Sequence, residues 1–145
     1  FSKAYALGGV RLGWAYCPPE IADVMNRIRG PFNVGLPAQA AGVAALRDKE
    51  FLAKSRDHNS TWLPWLSERI EAVGLTAYPS IANFVLVRFP ETQQHNAMAA
   101  LDFMQGRGII PRDTSSVGLP GCLRITIGRE DEMRAVADAL TDFMG

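Results

Sequence analysis

Apolar residues recur along this chain with two different periods, and the exchange between them predicts an α/β fold. Val10 to Cys17 (VRLGWAYC) is rich in strand formers and stops at Pro18-Pro19. Leu12, Trp14 and Tyr16 alternate there with Gly13 and Ala15, which suits a strand buried between neighbours, as in a parallel sheet. From Glu20 to Arg29 the spacing turns helical. Ile21, Val24, Met25 and Ile28 share one face, and Gly30-Pro31 ends the helix. Leu36 to Leu46 is alanine-rich and predicts a helix that runs on to about Asp57, with His58-Asn59-Ser60 as a candidate break. Trp62, Leu66, Ile70 and Val73 predict a second segment ending at Gly74. Pro64 either sits in the first turn of that segment or kinks one long helix.

The remainder alternates faster. Asn83 to Phe89 (NFVLVRF) predicts a strand, and Gln94 to Gln105 a helix with Ala97, Leu101 and Met104 inward. Gly108 to Pro111 reads as a short strand, Asp113 to Gly121 as a loop, and Cys122 to Ile127 (CLRITI) as another strand. A last helix begins near Arg129. Glu130, Asp131 and Glu132 complement its N-terminal dipole, and Met133, Val136, Ala137, Leu140 and Phe143 make its buried stripe. The chain beyond about Gly30 reads as a compact α/β domain with a small sheet. The piece before it holds a strand that needs neighbours.

Composition narrows the function classes. The 145 residues suffice for one domain with a real core. Fifteen basic and fifteen acidic side chains cancel, so no global field attracts nucleic acid or an anionic membrane. No apolar run is long enough to span a bilayer. Cys17 and Cys122 form no metal-ligand pattern and read as reduced thiols of a cytoplasmic protein. The opening Phe1-Ser2-Lys3, without an initiator Met, reads as the middle of a longer sequence.

The chemistry gathers at the two ends. Ser2-Lys3 is followed by Gly8-Gly9, Arg11 and Gly13. A lysine amine can form a Schiff base with an aldehyde, and a guanidinium fork can clamp a phosphate. Glycines let backbone pass close to a bulky anion. Singly, each of these residues is ordinary surface; the set is not. The segment from Phe1 to Trp14 (FSKAYALGGVRLGW) resembles the cofactor-lysine segment of fold-type I pyridoxal-phosphate (PLP) aminotransferases. Arg112-Asp113, the Ser/Gly/Pro loop and Cys122 to Gly128 resemble the same family's small-domain motif. Pro31 to Val34, Ala38 to Ala41 and Ala82 to Val87 are similar to the histidinol-phosphate branch. The resemblance covers essentially the whole chain. Gly9, where alanine is common, and Pro64, inside what is usually a helix, are its departures.

The resemblance implies that Lys3 holds PLP covalently and acts as general acid and base, while Ser2 and Arg11 bind the cofactor phosphate. Arg124 would grip the substrate carboxylate, or the phosphate end in turn, and Arg112 would be a second phosphate-binding arginine. It implies the end of a large cofactor domain over residues 1–30 and a C-terminal small domain over 31–145. The parent would be a homodimeric enzyme of histidine biosynthesis moving an amino group between histidinol phosphate and 2-oxoglutarate. The piece alone is expected to be inactive. Alternatives are an aromatic or broad-range aminotransferase, a threonine-phosphate decarboxylase, and, from another class, a non-enzymatic α/β binding domain. His58 and His95 read as solvated, Trp62 and Trp65 as packing, and Met98, Met104 and Met133 as core. No metal site is expected.

Overall fold

A computed structural model describes residues 1–145, which form two compact units, Phe1–Asp57 and His58–Gly145. The first unit opens with a 3-10 turn at Gly8–Val10, followed by helices α1 (Pro19–Ile28) and α2 (Leu36–Arg47). Helix α3 (Lys49–Ala72) begins in this unit and ends in the second. The second unit adds β1 (Thr76–Ala77), β2 (Phe84–Arg88), α4 (Ala97–Gln105), β3 (Arg112–Asp113), β4 (Cys122–Thr126) and α5 (Glu130–Met144). The strands form one antiparallel sheet in the order β1-β2-β4-β3.

Strand alternation divides that sheet into two faces. Val85, Val87, Leu123 and Ile125 face the core, each at most 3% exposed. Leu66 and Ile70 of α3, Met104 of α4, and Met133, Val136 and Leu140 of α5 belong to the same cluster. Truncating one of these large side chains to alanine costs about 2–5 kcal/mol. The opposite face, bearing Phe84, Leu86, Arg112 and Arg124, stays partly open.

The predicted strand from Val10 to Cys17 is not one. Val10 closes the 3-10 turn, Arg11 takes the left-handed conformation (φ 59°), and 12–18 are irregular. A strand exists only where a neighbour accepts its backbone groups, and nothing in residues 1–145 pairs with this segment. Trp14 and Tyr16, expected to be buried, are 76% and 96% exposed. Helix α1 forms close to its expected place, yet none of its side chains is buried.

Three further boundaries move for local reasons. The helix break falls at Asp48, not at His58-Asn59-Ser60. Asp48 Oδ1 accepts a hydrogen bond from the Phe51 N–H (2.9 Å), as an N-cap does. His58 and Asn59 instead reach from inside α3 to the carbonyls of Gly128 and Ala82, and α3 passes through Pro64 without interruption. The short strand expected at Gly108–Pro111 lies further on, at β3. The amides of Gly108 and Ile109 are spent closing α4, on the Gln105 and Met104 carbonyls, and Pro111 has no N–H to give a ladder. Helix α4 starts at Ala97 because Asn96 Oδ1 caps the Ala99 N–H (2.9 Å). Strand β1 had no visible sequence signal.

Met104 and Met133 lie in the core, whereas Met98 is half exposed, correcting its assignment. His58 is exposed, as expected, though its Nε2 meets the Gly128 carbonyl oxygen at 2.7 Å, whereas His95 is half buried and packs edge-on against Phe143. Trp62 and Trp65 pack edge to face, 5.0 Å between ring centroids, against the core. Both cysteines are free thiols.

Candidate active site

The N-terminal turn holds three of the five candidate residues in the first unit. The Ala6 N–H donates to the Lys3 carbonyl (2.9 Å) and the Leu7 N–H to the Phe1 carbonyl (3.1 Å), folding Phe1–Leu7 into tight turns. Lys3 is exposed and enters none of the ion pairs of the protein. Arg11 folds back, donating from its guanidinium to the Gly8 carbonyl (2.7 Å). No hydrogen bond joins Ser2, Lys3 and Arg11 to one another. The segment is anchored instead by apolar contact. Gly42, buried in α2, lies so close to Leu12 that a methyl group there would collide with it. Phe1 lines the same notch and packs on Tyr5, 5.0 Å between ring centroids.

The other two candidates come together in the second unit. Strand register pairs Arg112 of β3 directly with Arg124 of β4, and Arg124 with Leu86 of β2. Directly paired residues project from the same face with Cβ atoms about 4.5–5.5 Å apart, and like charges so placed repel. Neither arginine has a carboxylate partner: every ion pair of the protein involves other arginines. Asp113, next to Arg112, alternates to the other face. Its Oδ1 is occupied by the Ser115 hydroxyl (2.6 Å) and the Ser115 N–H (2.9 Å). Those two donors hold the Asp113 carboxyl below its ordinary range.

Arg124 is half buried, and its guanidinium carbon lies 4.9 Å above the centroid of the Phe84 ring. Its Nε is buried with no hydrogen-bond partner. Thr114 fixes the loop between the two arginine strands. Its hydroxyl is shared between the carbonyls of Leu119 and Cys122, each at 2.9 Å. Sequence reading singled out neither Phe84 nor Thr114 for these contacts. Period-two alternation indicates which residues share a face within β2, but the register that sets Phe84 beside Arg124 is a tertiary fact. No helix is long and apolar enough to cross a membrane. No cluster of three or more His, Cys, Asp or Glu side chains is arranged to hold a metal ion.

Comparison with known proteins gives this geometry a family. Residues 1–140 match the family model for aminotransferase class I and II. The chain is 53% identical over 145 residues to a histidinol-phosphate aminotransferase of Paramagnetospirillum magneticum, covering 100% of this chain and 40% of that protein. It is 52% identical over 144 residues to the histidinol-phosphate aminotransferase of Rhodospirillum centenum, covering 99% of this chain and again 40% of the relative. The crystal structure of histidinol-phosphate aminotransferase from Sinorhizobium meliloti, in complex with pyridoxal-5'-phosphate, superimposes with a TM-score of 0.82 at 30% identity, covering 99% of this chain and 39% of that one. The chain thus spans about 40% of the length of the curated relatives it matches. With its α/β architecture and small antiparallel sheet, the chain belongs to the class I and II aminotransferase family.

Proposed function

We propose that this chain forms the cofactor-lysine segment and small domain of a PLP-dependent aminotransferase. Its substrates would be histidinol phosphate, or a similar amino compound, and 2-oxoglutarate. The carrying observation is the pair Arg112 and Arg124, opposed across two strands with no carboxylate between them. Two unneutralised guanidinium groups on one open face are a mismatch that an anionic substrate resolves. The planar fork of each suits phosphate and carboxylate alike. In this reading residues 1–30 close a large cofactor domain and residues 31–145 are the small domain. The full-length protein would be a cytoplasmic homodimer. The identity to histidinol-phosphate aminotransferases supports this substrate class over the aromatic and decarboxylating alternatives.

The N-terminal turn fits PLP in its donor chemistry. Lys3 offers an exposed, unpaired primary amine to an aldehyde, with the Ser2 hydroxyl beside it. Arg11 has five N–H donors and gives one hydrogen bond, to Gly8, so the rest remain for a phosphate. When bound, the cofactor would supply an electron sink for the bond broken at the substrate α-carbon. Lys3 Nζ would hold the aldehyde carbon and, once released, take the α-proton as general base. Ser2 Oγ and the Arg11 guanidinium would bind the cofactor phosphate. Arg124 would hold the carboxylate of glutamate in one half-reaction and the phosphate end of the substrate in the other, with Arg112 serving the phosphate alone.

Borohydride reduction of the full-length protein incubated with PLP, followed by peptide mapping, tests the reading. A pyridoxyl group on Lys3 is expected. Label on a different lysine, or no label, overturns it and favours a non-enzymatic binding domain.

A further inference from the structure

The geometry points to Phe84 as a positioning residue for Arg124, holding by its ring face the guanidinium that awaits the substrate anion. The inference rests on the role proposed for Arg124 above. Register pairs Phe84 with Thr126 and Leu86 with Arg124, so Phe84 and Arg124 are diagonal neighbours on one sheet face. The guanidinium carbon, 4.9 Å from the ring centroid, is within cation–π range.

Arg107 lies over Phe103 and Arg134 over Trp62 and Trp65, and each also bonds a carboxylate, Asp142 and Glu130 respectively. Arg69, over Trp65, is exposed and free to be hydrated. Arg124 alone among the arginines is not exposed, and it has neither carboxylate nor hydrogen-bond acceptor. Across the strand it faces the like charge of Arg112. A long side chain so placed would swing away to solvent if nothing held it. The ring attracts the cation through its face but offers no acceptor in the guanidinium plane. It therefore fixes the group without consuming the N–H donors that a carboxylate or phosphate needs. An acidic residue in place of Phe84 would hold Arg124 equally well and occupy those donors.

The test uses the full-length, PLP-loaded protein with Phe84→Leu, Phe84→Tyr and Arg124→Gln. Phe84→Leu removes the ring and should raise KM for glutamate about tenfold with kcat within about threefold, the signature of lost binding geometry. Phe84→Tyr keeps the ring and should stay within about twofold of the parent in both constants. A wild-type measurement runs beside these. The Arg124 Nε–H resonance, assigned by its loss in Arg124→Gln, should be shifted upfield by the ring current and remain so in Phe84→Tyr. If Phe84→Leu does not fold, this resonance and the Phe84→Tyr kinetics decide. An unshifted resonance, or an unchanged KM in a folded Phe84→Leu protein, overturns the positioning role while leaving that of Arg124 intact. Unchanged glutamate kinetics in Arg124→Gln would instead remove the reading on which the inference rests.

Discussion

Replacing Thr114 with valine should destabilise the sheet face that carries both arginines. Thr114 is 5% exposed and is the one buried residue of polar type. Its hydroxyl hydrogen is shared between the carbonyls of Leu119 and Cys122, and its own carbonyl accepts from the Val117 and Leu119 amides at 3.1 and 3.2 Å. Valine keeps the volume and the β-branch but removes the donor. The lost hydrogen bond contributes about 1 kcal/mol, and a carbonyl left buried without a partner adds a desolvation cost, so about 1.5–3 kcal/mol is expected. Urea unfolding followed by tryptophan fluorescence measures the change. Trp62 and Trp65, packed against the core of the same unit, report on it. Thr114→Ser, which keeps the hydroxyl, should recover most of the loss. A change below about 0.5 kcal/mol for Thr114→Val, or a serine variant as weak as the valine one, would refute the reasoning, because neither fits a hydroxyl that pins the loop.

Three further outcomes are expected. Arg112→Ala in the full-length protein should slow the half-reaction with the phosphate-bearing substrate about ten- to a hundredfold and barely touch the glutamate half-reaction, whereas Arg124→Ala should slow both; single-turnover spectra of the cofactor report each. The Asp113 carboxyl titrates below its ordinary 3.8 because the Ser115 hydroxyl and amide stabilise the charged form. The unfolded chain therefore binds that proton more readily, so the stabilisation is complete above the unfolded value and is lost as pH falls through the folded one. Asp113→Asn should flatten this acid limb in an unfolding series, and an unchanged slope would contradict it. Gly42→Ala should raise the helicity of α2, since alanine is favoured there by up to about 1 kcal/mol. By displacing Leu12 it should also make the segment before Pro18 several-fold more sensitive to limited proteolysis.

Much of the second unit was legible because its signals are local. The alternation in β2 and β4, the stripe of α5 and the end of α3 just before Gly74 each depend on local residues. The arginines were named as candidates from motif, but their opposition across β3 and β4 was not visible, since register depends on the whole sheet. The errors share a cause. Val10 to Cys17 has the composition of a strand, but composition cannot supply a pairing partner. His58 and Asn59 look like helix breakers until distant carbonyls, at Gly128 and Ala82, engage their side chains. Asp48, whose side chain caps the Phe51 N–H, was not singled out, because the alanine-rich run before it reads straight on as helix.

Both borders of the sheet are strands of only two residues, β1 and β3. A long bare border is a template on which a second chain can lay its own backbone, the first step toward aggregates. Two residues offer too few unpaired amides and carbonyls for such growth, and Arg112 sets a charge on one of those borders. The residue proposed to equip this border for anion recognition would also guard it, so that chemistry and colloidal solubility would be served by the same guanidinium.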